Sequence, residues 1–191
     1  MGCWETGVAL RRRARGERGS TLVETAIVLP VIMLILFGVI EYSSAYNDAS
    51  VVADATRQGG RVASTLGGTL TSTSAVPDAV ASRLKSLPAN APTTLWIYES
   101  NSAGYPLPTG TTGFGGTCST NCFKYTWNQT NKTWTYQSGS WATTAQNVCT
   151  GTLDQVGVYV KINHRFVTGL FGVSINLDDH AVFRFEPSPS C

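Results

Sequence analysis

Three groups of residues have types and spacings that could support chemistry. Asp178-Asp179-His180 sets two carboxylates beside an imidazole, part of what a serine triad needs. No G-x-S-x-G nucleophile elbow and no G-x-x-x-x-G-K phosphate loop accompanies it. The run therefore reads as a charged turn at a strand start, and the chain as a protein that is not an enzyme. Cys118-x3-Cys122 has a spacing that a metal could use. No second close pair follows, and His164 and His180 stand alone, so neither metal nor cofactor is expected. The third group is Gly19-Ser20 with Glu24. A cut after Gly19 would make Ser20 an amino terminus within one or two helical turns of Glu24, or of the Glu24 of a neighbouring copy. Charges in apolar surroundings are tolerated when they are paired in this way.

The elements that would position these residues begin with Arg11-Arg12-Arg13-Ala14-Arg15-Gly16-Glu17-Arg18-Gly19, which is basic and poor in apolar residues. The charge-free run from Thr25 to Ile40 follows. Extended back to Ser20 it has 21 residues, interrupted only by Glu24. As a helix this segment spans about 31 Å, the thickness of a bilayer core. The Arg cluster favours a cytoplasmic N-terminus and an exported remainder. A cleaved signal peptide is the competing reading, with Ser43-Ser44-Ala45 as its small-residue cleavage site. A cytoplasmic core helix is a third reading, weakened because both faces of the segment are apolar.

Of the 191 residues, 42% are apolar and only 14% are charged, against about 25% charged in ordinary soluble proteins. The aromatic content excludes disorder throughout. Residues 1–19 carry five Arg and two Glu, net +3, and the rest of the chain is −1. A broad basic face for nucleic acid is therefore not expected. Cys3 lies in the basic leader. Cys118, Cys122, Cys149 and Cys191 all fall on the exported side, where disulfides persist. Four thiols allow three pairings, and the sequence leaves the choice open.

The N-terminal pattern resembles the class III signal of type IV pilins and pseudopilins. It is more closely similar to the TadE-like family of the tight-adherence (Flp) pilus system. Arg15-Gly16-Glu17-Arg18-Gly19-Ser20, Leu22-Val23-Glu24 and Leu29-Pro30 carry the resemblance. Phe37-Gly38-Val39-Ile40-Glu41-Tyr42 and Ala55-Thr56-Arg57-Gln58-Gly59-Gly60-Arg61-Val62-Ala63 continue it. Thr56 departs from the family's usual Ala. The resemblance implies cleavage after Gly19 by a membrane-embedded prepilin peptidase acting on the cytoplasmic side, with the apolar helix retained. It also implies Glu24 as the assembly carboxylate, and other pilins, pseudopilins and the pilus assembly platform as partners. The implied location is the cell membrane, single-pass, with the C-terminal domain extracellular and the subunit in the pilus. A signal-anchored surface binding protein outside any filament is the alternative, and a secreted enzyme comes third.

Beyond Ile40, small and apolar residues recur three and four apart at Ala45, Ala49, Val52, Ala55, Gly59, Val62 or Ala63, and Leu66, one face of a helix. This predicts one helix from Ser20 to Thr65, about 68 Å long, kinked at Pro30 and stopped by Gly67-Gly68. The second half of the stripe should pack on the chain's own body, and small residues also suit close approach of other pilin helices. Asp54, Arg57 and Arg61 read as a solvated face. Residues 67–191 form the exported domain, residues 20–66 the anchor and stalk, and residues 1–19 the leader. In the body a helix is expected over 77–87, and strands over 95–98, 123–127, 133–136, 156–162 and 181–185, with a loop over 100–122. His164 to Phe171 reads as a short helix. The fold class is α+β, a small antiparallel sheet beside helices. The sequons Asn128-Gln129-Thr130 and Asn131-Lys132-Thr133 are polar hairpin residues in a chain similar to a bacterial family.

Overall fold

The computed structural model describes residues 14–88, 90–108, 111–149, 151 and 153–188, with side chains from Gly19 onward. Helix α1 (Ala14–Thr65) is followed by α2 (Val76–Leu84) and five strands. The strands are β1 (Pro92–Glu99), β2 (Cys122–Asn128), β3 (Thr133–Ser138), β4 (Gln155–Arg165) and β5 (Ser174–Arg184). The chain divides into two compact units, Met1–Ser43 and Ser44–Cys191.

In the first unit, α1 is long and apolar enough to cross a membrane. Its large apolar side chains are exposed all round, from Leu22 to Ile40. A helix apolar on every face needs an apolar surrounding. Pro30 lies inside α1 and removes one helical donor there.

In the second unit the strands form one antiparallel sheet in the order β3-β2-β1-β4-β5. Alternation gives it two faces. The inner face carries Leu95, Ile97, Phe123, Tyr125, Val156, Val158, Val160 and Ile162, all buried in the main core. Against it lie α2, through Val76, Val80, Ala81 and Leu84, and α1, through Val52, Ala55 and Ala63. Thr56, Gly59, Gly60 and Ser64 are buried with them, so the stripe of small residues is a packing surface for the chain's own body. A Cβ on Gly60 would run into the Phe183 ring. Asp54, Arg57 and Arg61 are exposed, as a solvated face requires.

α1 ends where Gly68 takes φ +77, and Thr69 N–H closes the turn onto Leu66 O at 2.9 Å. The following segment is fastened by Gln146, which is buried. Its Oε1 accepts from Leu70 N–H at 3.1 Å, and its Nε2 donates to Leu70 O at 2.7 Å. The side-chain amide thus satisfies both polar groups of one buried residue, as a sheet neighbour would.

Two local expectations are corrected. His164 to Phe171 is not a helix. His164 and Arg165 finish β4, and the chain turns back with Phe166 N–H donating to Val173 O at 3.1 Å. Gly169 (φ +70) and Gly172 (φ +113) take left-handed conformations that favour glycine and reverse the chain. Asp178-Asp179-His180 is not a turn. It lies within β5, paired with Lys161, Val160 and Tyr159 in that order. As an edge strand, β5 has one side without a strand neighbour, so charged residues suit it.

Candidate functional site

The N-terminal candidates all lie on α1. Gly19, Ser20 and Glu24 are exposed. A Cβ on Gly19 would meet nothing within 4 Å, so packing within the chain does not demand a glycine there. Glu24 lies on one helix face with Thr25, Val28, Leu29, Ile32 and Met33. The arrangement is a single carboxylate on an apolar helical surface.

Among the exported cysteines, Cys118 and Cys122 form a disulfide with Cα atoms 5.8 Å apart. The bridge closes the chain just ahead of β2, and both residues are buried. The x3 spacing therefore serves a cross-link. Cys149 is also disulfide-bonded, and Cys191 lies outside the described residues. Among the described residues no three His, Cys, Asp or Glu side chains gather where they could hold a metal ion.

The outer face of the sheet holds a second cluster. Trp96, Tyr98 and Tyr159 project from β1 and β4 beside the bridge, and Phe114 from the 100–121 loop folds over them. Phe114 stacks on Tyr159 at 3.8 Å between centroids, and Tyr105 lies 5.3 Å from the His180 ring. Lys124 Nζ sits 5.5 Å from the Trp96 ring centroid, within cation–π range. All of these except Tyr98, together with Lys161 and Asp178, line a cleft of about 470 Å³. Burial, reinforced by the nearby Asp178 carboxylate, pushes the Tyr159 phenol up to about 12. Burial raises Tyr98 further, and its hydroxyl donates to Gly104 O at 2.8 Å.

Strand alternation separates the one catalytic grouping that the sequence offered. Asp178 and His180 face this cleft, whereas Asp179 points to the inner face, where its Oδ2 accepts from Thr56 Oγ1 at 2.8 Å. Thr56, the departure from the family pattern, thus has a partner 123 residues away. His164 does not stand alone either. Its Nδ1 lies 2.7 Å from Asp48 Oδ2, and the ring is buried. No local signal marks these two pairs, because each joins α1 to a strand far along the chain. A polar residue on an otherwise small and apolar helix stripe was the only hint.

The second unit is an α+β domain, and the chain before it is an exposed apolar helical segment with Glu24 as the one carboxylate between Ser20 and Ile40. Residues 19–61 match the family described as TadE-like protein. The match takes in the apolar helix and the stripe of small residues, it suggests a tight-adherence pilus-associated protein, and the helix is compatible with a membrane anchor. No curated protein and no solved structure matches the chain.

Proposed function

We propose that the protein is a minor pilin or pseudopilin of a tight-adherence pilus system, acting by packing. The observation that carries this reading is Glu24, the only charge in the segment from Ser20 to Ile40, inside the TadE-like match. In this reading the chain sits in the cell membrane with its leader cytoplasmic and residues 41–191 outside. A prepilin peptidase cuts after Gly19, whose missing side chain suits a protease and has no packing role in the fold. Ser20 becomes an ammonium, and Glu24 compensates it, or that of a neighbouring pilin, when the helix enters the assembly platform and the filament.

The tests separate processing from assembly. Mass spectrometry of the mature protein should find Ser20 at its N-terminus, and Gly19→Val should leave an uncleaved precursor. Glu24→Ala should insert and be cleaved normally, because removing a carboxylate eases insertion. It should fail to co-purify with sheared pili, since a buried charge that loses its partner costs about 3–5 kcal/mol. Wild-type recovery of Glu24→Ala in pili would refute the charge-compensation role.

The outer-face cleft favours a second reading, a signal-anchored surface binding protein outside any filament. A membrane-bound chain that keeps residues 1–19 and never co-purifies with pili would select it.

A further inference from the structure

The cleft on the outer face of the sheet lies wholly within the second unit, and the strand register sets its floor. Lys124, Trp96, Tyr159 and His180 stand side by side across β2, β1, β4 and β5. Thr94, Lys161 and Asp178 form the next row on the same face. Neighbouring strands lie about 4.8 Å apart, so the row from Thr94 to Asp178 spans about 10 Å, the length of a disaccharide. The wall is aromatic. Phe114 stacks on Tyr159 and lies 5.6 Å from the Tyr105 ring. Trp96 and Tyr159 are only 3% and 6% exposed, with Lys124 over the one and Phe114 over the other. Tyr105 and Phe114 stay half-buried and bound the cleft.

The polar groups of the floor are unspent. Lys161 and Asp178 are partners across β4 and β5, yet their side chains make no ion pair. Among the described residues, the side chains of Lys161, Asp178 and His180 make no hydrogen bond either. The cleft thus offers a ligand both a cationic donor and an anionic acceptor. A DNA backbone has no donor to give Asp178, whereas a sugar hydroxyl donates to a carboxylate. β1 and β4 are interior strands, with neighbours on both sides. A peptide therefore finds no open ladder here to extend, and only side chains are left to bind. The Thr94 and Thr112 hydroxyls add to them, which suits a ligand that bonds through several hydroxyls. The aromatic wall suits the C–H face of a sugar ring. Lys124 and Lys161 outnumber Asp178, so the cleft is net cationic and favours a carboxylate on that sugar.

We propose that this cleft binds a saccharide bearing a carboxylate, a uronate or a sialate. Lys161 pairs with the carboxylate, Asp178 accepts from ring hydroxyls, and Tyr105 and Phe114 lie against the C–H face. Binding of this kind needs only the second unit, so it goes beyond both readings above and does not depend on a filament.

The test is isothermal titration calorimetry on the full chain purified in detergent. The probes are tetragalacturonate with its methyl ester, and sialyllactose with lactose. At least one acid should bind tenfold or more tightly than its uncharged counterpart, and the pair that responds tells a uronate from a sialate. Lys161→Gln should abolish that preference, and Lys161→Arg should keep it. Tyr105→Ala should weaken acid and uncharged sugar alike, severalfold. Lys85→Gln, which removes an exposed charge at the end of α2, should change neither. No binding of either acid at millimolar concentration would overturn the proposal. A preference that survives Lys161→Gln, or is lost equally in Lys85→Gln, would overturn the site. Poly-glutamate or oligothymidylate binding more tightly than every sugar would overturn it in favour of a peptide or a nucleic acid. None of these outcomes bears on cleavage after Gly19 or on Glu24, so the pilin reading stands or falls separately.

Discussion

Gly59 is a point at which α1 meets both α2 and the sheet. A Cβ added there would lie 2.5 Å from Val80 Cγ2 and 3.1 Å from Val158 Cγ1, and both valines are fully buried. In an isolated helix, Gly→Ala stabilises by about 1 kcal/mol. In the docked helix the methyl has to displace Val80 or part α1 from α2, and overpacking of this kind costs typically about 1–3 kcal/mol. The packing cost wins, and Gly59→Ala should destabilise by about 1 kcal/mol. The double variant makes the reasoning sharper. Val80→Ala alone vacates core volume and should cost roughly 2 kcal/mol. With Gly59→Ala added, the new methyl occupies the vacated space, so the pair should be at least as stable as Val80→Ala alone. The expected coupling is about 1–2 kcal/mol. Equilibrium unfolding of the full chain in detergent, followed by fluorescence of the buried Trp96, Trp134 and Trp141, measures all four corners of the cycle. A Gly59→Ala protein that gains the stability helix propensity alone predicts, with effects additive with Val80→Ala, would refute the argument. Because Gly59 lies within residues 19–61, the same result bears on why the matched segment carries a glycine there.

Thr56→Val should cost about 1–2 kcal/mol in the same unfolding assay, since it keeps the shape and removes the hydrogen bond to the Asp179 carboxylate. Asp179→Asn in the Thr56→Val background should add little, because the shared bond is already gone. Tyr98, Tyr125 and Tyr159 all hold their phenolic protons more tightly in the folded state than at the ordinary value of 10, burial being the first cause. Their contribution to stability is therefore complete below pH 10 and is lost as pH rises, through about 12 for Tyr159 and higher for the other two. A phenolate titration followed by absorbance should show late-titrating tyrosines that normalise together on unfolding. Peptide mapping without reductant should recover Cys118 and Cys122 within one bridged loop, and freely alkylated thiols at both would contradict it.

What was legible in the sequence was whatever neighbours along the chain decide. The apolar run with its single carboxylate, the stripe of small residues and the paired glycines that stop α1 are local patterns. They express solvation and backbone freedom, which act over one or two turns. The alternating runs that became β2, β3 and the middle of β4 were legible for the same reason, because a period of two reports a half-buried surface. The His164–Phe171 segment misled because its apolar residues fit either period, and only the left-handed glycines at 169 and 172 decided for a hairpin.

Tertiary structure alone decided which distant groups meet. Asp48 and His164 are 116 residues apart, and Thr56 and Asp179 are 123 apart. Their pairing depends on sheet order and on the register of β4 and β5 against α1. A shift of one residue would have turned Asp179 outward and Asp178 and His180 inward. The sequence left three cysteine pairings open because the separation of thiols is a property of the folded loop. The exposure of the apolar residues Leu170, Phe171, Val173 and Ile175 was decided in the same way. In the sequence, Leu170 and Phe171 read only as the end of a short helix from His164. The path of β4 past Asp48 carries them beyond the core to an exposed hairpin tip.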